Sequence, residues 1–292
     1  MNRNGEARAV DRTFVIGDFC FRLIGPDSIV PPENFMLFAR DGAEPSYTYT
    51  LLLTDSFPQP RGRMIAQRPD LAVFEQDGLE MRYIGVTGTP GFYACYREED
   101  AHSATILLAS AAAGAMWVDP MFLAMFAMER HMMRRDALVL HCAYMQREGK
   151  AILFSAPSGT GKTTQATLWE KHRGTRVVNG DKSLLRCSGG VWTANGWPVC
   201  GSSQVCHDES MPIRAIVMLS QGKENVSEKL APFAAFSQIY SQITINFWNR
   251  DAQQRAMDLI EQLVTQVPVY HLRCTISEEA VACLENALRT EL

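Results

Sequence analysis

A chain of 292 residues with 47% hydrophobic and 21% charged side chains carries enough apolar material for two domains or one large one, and it is not a disordered polyelectrolyte. Its net charge of −4 offers no broad basic field, which argues against nucleic acid or an anionic membrane as partner. The opening Met1-Asn2-Arg3-Asn4-Gly5-Glu6 has no apolar signal core, so the eight cysteines are expected as reduced thiols in a cytoplasmic protein.

Residues 1–118 read as a β-rich (α+β) domain. Phe19, Phe21 and Leu23 alternate with Asp18, Cys20 and Arg22, and Tyr47, Tyr49, Leu51 and Leu53 alternate with Thr48, Thr50 and Leu52. That period of two marks half-buried strands. Residues 79–86 and 92–96 read the same way, and Pro- and Gly-containing turns separate these runs. Residues 104–128 are nearly all apolar, but Asp119-Pro120 cuts them into pieces too short to span a bilayer. Asp119 is a suitable N-cap and Pro120 a suitable first helical residue. The expectation is a buried strand or short helix, then one core helix from Pro120 to about Arg134. Its methionines (Met121, Met125, Met128, Met132, Met133) suit core or interface packing. The helix, residues 119–135, is taken as the connector between domains.

Residues 136–292 alternate strands and helices, the pattern of an α/β layered domain. Strands are expected at 138–141, 151–154, 175–181 (ending on Asp181), 215–219 and 267–274. Helices are expected at 165–172, 251–264 and 277–289, with Thr275-Ile276-Ser277-Glu278 as a capping box for the last.

One loop dominates this half. Ala156-Pro157-Ser158-Gly159-Thr160-Gly161-Lys162-Thr163-Thr164 follows an apolar strand and precedes a helix, the context a P-loop requires, with Ala156 where the first glycine usually stands. Backbone N–H groups of Ser158 to Thr164 can cradle phosphate oxygens, Lys162 can reach the β- and γ-phosphates, and the Thr163 hydroxyl can ligate Mg²⁺. The bland alternative is a Gly-rich turn with a surface lysine. Asp181 follows the apolar Val177-Val178 and could bind Mg²⁺ or accept a proton, although Asn179-Gly180-Asp181 is also ordinary turn chemistry. His141 ends an apolar run and could meet a transferring phosphate or be structural. Cys200, Cys206 and His207 lack the compact spacing of a zinc site. Arg214 could contact phosphate or be a solvated strand end, and Ser202 and Ser203 could line an acceptor pocket or form a turn. Phe247 and Trp248 could stack a base, with burial the simpler reading.

The order Leu140-His141-Cys142-Ala143, then Ile152-Leu153-Phe154 and the Gly-rich loop, then Arg176-Val177-Val178-Asn179-Gly180-Asp181-Lys182, resembles the catalytic domain of HPr kinase/phosphorylase. That family shares its P-loop fold with ATP-dependent phosphoenolpyruvate carboxykinase, and the resemblance covers residues 136–292. It implies ATP and Mg²⁺ as nucleotide and metal, and Lys162, Thr163 and His141 at the phosphates. Asp181 would be the acid that activates an acceptor hydroxyl. Assembly among relatives implies a homo-oligomer. Two positions depart from the family. The first acid of its Asp-Asp pair is Gly180, and its Glu-Ile-Arg-Gly signature is replaced by Ala194-Asn195-Gly196-Trp197-Pro198, with Asp208 or Glu209 as substitute acids. The resulting expectation is a kinase that transfers the γ-phosphate to a hydroxyl, serine first, of a protein, peptide or small molecule. The alternative is a catalytically reduced nucleotide-binding sensor or scaffold module.

Overall fold

The computed structural model describes residues 9–289, so the opening Met1–Glu6 lies outside the described residues. The chain is mixed α/β with two large sheets and forms two compact units, Met1–Met128 and Glu129–Leu292.

The first unit is built on one eight-stranded sheet. Its strands are β1 (Ala9–Ile16), β2 (Phe19–Pro26), β3 (Tyr47–Thr54), β4 (Arg63–Arg68), β5 (Leu71–Gln76), β6 (Leu79–Gly85), β7 (Phe92–Glu98) and β8 (Ser103–Ala109), with α1 (Glu33–Met36) between β2 and β3. The spatial order is β1-β2-β3-β8-β7-β6-β5-β4; β3 is parallel to both β2 and β8, and the other pairs are antiparallel. The period-two alternation is realised in β2 and β3: Phe19, Phe21, Leu23, Tyr47, Tyr49 and Leu51 are all buried. Leu53 departs from it, 40% exposed at the end of β3. The buried face is an aromatic cluster in which Phe21, Tyr49 and Phe126 pack edge-on or tilted at centroid distances of 4.9–6.1 Å.

The apolar stretch after β7 resolves into β8, a short 3-10 turn over Ser110–Ala115, and α2 (Asp119–Ala124). The single core helix expected to Arg134 is broken. Ala127 takes the left-handed conformation at φ +50, and the chain restarts as α3 (Met128–Met133). The Phe126 carbonyl, freed at the break, accepts a hydrogen bond from the buried Tyr49 hydroxyl at 3.0 Å. Asp119 does not cap its helix; its carboxylate accepts from the Asn34 amide at 2.5 Å. Met125, Met128, Met132 and Met133 are buried core residues.

In the second unit a sheet lies between two helical layers. Its strands are β9 (Ala137–Arg147), β10 (Lys150–Ser155), β11 (Arg176–Asn179), β12 (Lys182–Ser188), β13 (Val191–Asn195), β14 (Ser210–Gln221), β15 (Val226–Lys229) and β16 (Val269–Cys274). The helices are α4 (Lys162–Arg173), α5 (Pro232–Tyr240), α6 (Arg250–Gln266) and α7 (Glu278–Arg289). One face carries Leu140, Cys142, Leu153, Ile216, Met218 and Val269 against α5 and α6. The other carries Ala143, Phe154, Val217 and Leu272 against Ala166 and Trp169 of α4 and Val281 and Leu284 of α7. β10 sits between β9, antiparallel to it, and β14, parallel to it, and β16 lies parallel beyond β14.

Three expectations change here. The apolar run at 138–141 does not end at His141: β9 continues to Arg147, exchanging β12 for β10 and β11 as partners at about that residue. The hairpin β12–β13 adds two strands to those expected, and Gly189 and Gly190, at φ +58 and +80, form its two-residue turn, a left-handed geometry that glycine adopts readily. The capping box is not formed with Thr275 as cap. α7 begins at Glu278, and the Thr275 hydroxyl meets Ser277 Oγ at 2.9 Å and Asn225 Oδ1 at 3.2 Å.

Candidate functional site

At the end of β10 the chain turns through residues 156–161 into α4. Gly159 (φ +79) and Gly161 (φ +114) supply backbone angles that a side chain would strain; nothing lies within 4 Å of a Cβ at either, so conformation and not crowding demands glycine there. No side chain caps α4, so its first N–H groups and the positive end of its dipole face the loop. Lys162 is 7% exposed and folds back over the loop, donating from Nζ to the Ala156 carbonyl at 3.0 Å and to that of Pro157 at 3.4 Å. Burial pulls its pKa down, and the nearby Asp181 carboxylate opposes that shift. The Thr163 hydroxyl donates to the Gly180 carbonyl at 3.3 Å, which ties α4 to the turn carrying Asp181.

That turn lies on the β9 side of the loop. Asn179 is fully buried; its Oδ1 accepts from the N–H groups of Asp181 (2.8 Å) and Lys182 (3.0 Å), while its Nδ2 donates to the carbonyls of Trp197 (2.8 Å) and Val199 (3.0 Å). One amide thus shapes the Asp181 turn and pins the loop that follows β13. Lys182 stands directly opposite His141 in the β9–β12 register, so both side chains project from the same face, the one α4 covers. His141 Nε2 is 3.6 Å from Asp181 Oδ1. Burial raises the Asp181 pKa, but His141, Lys182 and Lys162 outweigh it and hold the carboxyl below its ordinary value. Lys162, Thr163, His141 and Asp181 therefore share one site. Ser158 and Thr164 belong to the loop and the first turn of α4 that border it.

The departure at Gly180 has a physical account. A Cβ at Gly180 would stand 2.0 Å from Ser203 Oγ and 2.3 Å from Ser203 Cβ, so Ser203 fills the space an acidic side chain would need. Ser203 belongs to a short 3-10 turn, Gly201–Ser203; its hydroxyl donates to the Cys200 carbonyl at 2.7 Å and accepts from the Val205 N–H at 3.2 Å. Glu209 is committed to an ion pair with Arg176, which lowers its pKa. Asp208 is exposed at the surface. Arg214 is neither a phosphate contact nor a solvated strand end: it bonds Glu148 at 3.3 Å and the Leu288 carbonyl at 3.2 Å. Phe247 is 59% exposed, against the simpler expectation of burial. The Cys206 thiol donates to the Trp197 carbonyl at 3.2 Å.

On the other side of the loop, at the ends of β14 and β16, lies a cavity of about 490 Å³. It is lined by Gly159, Thr160, Gly161, Thr164 and Gln165 and, across from them, by Gln221, Gly222, Cys274, Thr275 and Ile276. None of the last five is expected at a site from the sequence. They come from segments far beyond α4 along the chain, and only the parallel packing of β10, β14 and β16 brings them to the loop.

For Mg²⁺ the donor set is small: the Asp181 carboxylate and the Thr163 hydroxyl, both hard oxygens. Among the described residues no group of three or more His, Cys, Asp or Glu side chains is placed to hold a metal alone. Among the described residues no helix is long and apolar enough to cross a membrane.

Among solved structures, the chain is similar to the HPr(Ser) kinase/phosphatase from Coxiella burnetii, with 10% identity, a TM-score of 0.32, and alignment over 52% of this chain and 89% of that one. A likeness of that size says nothing about activity. No curated protein matches the chain by sequence. The family model for the SynChlorMet cassette protein ScmC matches residues 107–289, more than half of the chain and including the whole Gly-rich loop and the Asp181 turn. The chain belongs to the ScmC family.

Proposed function

We propose that the unit Glu129–Leu292 is a phosphotransferase that takes the γ-phosphate of ATP to a hydroxyl, serine first, of a protein, peptide or small molecule. The observation that carries the reading is convergence. An uncapped helix N-terminus, a buried lysine and a threonine hydroxyl meet a carboxylate held ionised by three flanking nitrogen groups. The loop N–H groups and Lys162 would hold the phosphates, trading the lysine's two carbonyl contacts for phosphate oxygens. Thr163 and Asp181 would hold Mg²⁺, which when bound supplies charge neutralisation on the phosphates. Asp181 would orient the acceptor hydroxyl. With its pKa below the ordinary range it stays ionised at neutral pH, so it accepts the proton as the hydroxyl is phosphorylated and not before. His141, 3.6 Å away, keeps that carboxylate aimed.

Calorimetry of ATP with Mg²⁺ tests the reading. Wild type binds; Lys162→Ala loses binding; Asp181→Asn binds nucleotide but loses transfer in a screen of serine peptides and hydroxylated metabolites. Absence of binding by wild type, or normal transfer by Asp181→Asn, would reject it. A second reading, a nucleotide-sensing module, draws on the Ser203-filled space beside Gly180 and the engagement of Glu209 by Arg176. Acceptor-stimulated ADP release excludes it.

A further inference from the structure

The second unit carries another group of reactive side chains, on the sheet face that buries Met218 and Val269 against α5 and α6. Toward the carboxyl ends of the parallel strands β14 and β16 that face opens to solvent. Ser220 is half-buried, and the side chains of His271 and Arg273 are 28% and 50% exposed. Strand register brings them together. Ser220 stands directly opposite Arg273, and Glu228 of the edge strand β15 stands directly opposite His271, so all four project from one face. Ser220 Oγ lies 2.9 Å from His271 Nε2, and His271 Nδ1 lies 3.6 Å from Glu228 Oε1.

The geometry points to Ser220 as the nucleophile of a second site, one that takes acyl groups from carboxylic esters, with His271 as its base. This site stands on other residues than the nucleotide reading and does not rest on it. A carboxylate at Nδ1 favours the imidazole tautomer with its proton there, which leaves the Nε2 lone pair to accept from the Ser220 hydroxyl. That is the polarity that activates a serine. Neither partner is fully buried, so the bond is not needed to satisfy a group shut off from water. Arg273 meets Glu224 at 3.9 Å, the outer limit of an ion pair, and so keeps its charge for the space beside Ser220. Ser220 Oγ attacks the ester carbonyl carbon as its proton passes to His271 Nε2, and Arg273 offsets the charge on the tetrahedral oxygen. Collapse breaks the bond to the leaving alcohol, which takes the proton from Nε2, while Ser220 keeps the acyl group. Water then attacks that ester, gives a proton to Nε2, and releases the acid as the proton returns to Ser220 Oγ.

The test treats the full chain with p-nitrophenyl acetate and, separately, with an alkyl fluorophosphonate that traps activated serines, the adduct being located by peptide mass spectrometry. Wild type should release nitrophenol at least about tenfold faster than Ser220→Ala and carry the adduct on Ser220. His271→Ala should lose both. Glu228→Gln, at an exposed position, should lower kcat about tenfold with KM unchanged. The adduct is read on wild type, so no variant's folding decides the result. No adduct on Ser220, an adduct that persists in His271→Ala, or equal release by wild type and Ser220→Ala would overturn the site. An unchanged kcat in Glu228→Gln would remove Glu228 from it.

Discussion

Glu285→Gln probes how the far end of α4, the helix after the Gly-rich loop, is held. Glu285 on α7 is 7% exposed; it receives Arg147 of β9 at 2.6 Å and Arg173, the last residue of α4, at 2.7 Å, with Arg289 at 3.2 Å. Arg147 also lies over the Trp169 ring of α4, 5.1 Å from its centroid. Burial alone would raise the Glu285 pKa, but the hydrogen bonds from Arg173 and Arg147 win and bring it from 4.5 down to about 2. A carboxylate depressed in the folded state stabilises the fold fully above its unfolded pKa. It loses that contribution as pH falls toward the folded value. The shift corresponds to roughly 3 kcal/mol at pH 7, and less than half of that survives at about pH 3. The amide of the variant has no charge to titrate. Urea unfolding of both proteins should give a stability gap of roughly 2–3 kcal/mol at pH 7 that narrows by more than half at about pH 3. A gap of the same size at both pH values would show that packing, not charge, accounts for the residue, and the electrostatic argument would fail.

Other consequences follow from contacts around the loop. Gly180→Ala should destabilise the fold by about 1–3 kcal/mol, because its Cβ would stand 2.0 Å from Ser203 Oγ; a Ser203→Gly background should recover part of that loss in urea unfolding. Gly174→Ala should cost about 1 kcal/mol, since Gly174 ends α4 in the left-handed conformation at φ +63 with its N–H on the Glu170 carbonyl, and a shift in the thermal midpoint measures it. Lys162→Met should leave nucleotide affinity at least about a hundredfold weaker by calorimetry while lowering stability only slightly, because its two carbonyl contacts are part of the loop's rest state.

The sequence alone determined what depends on neighbours along the chain. The Gly-rich loop, the strand before it and the helix after it were legible because glycine φ angles and apolar periodicity are local properties. The alternation in β2 and β3 was legible for the same reason. What needed the tertiary structure was every feature whose partner is far away in sequence. The helix expected through Arg134 broke at Ala127 where the Phe126 carbonyl meets Tyr49, 77 residues earlier. Asp119 turned from capping to Asn34, 85 residues away, because that hydrogen bond competes with the cap. Gly180 reads as a lost acid in the sequence; in the fold it is the only residue type that leaves room for Ser203. His141 and Asp181 lie together because β9 carries β12 on one stretch and β10 on the next, and the cavity on the other side of the loop forms because β14 and β16 run parallel to β10. Local chemistry chose the loop; strand order, which no short window of sequence encodes, chose what faces it on either side.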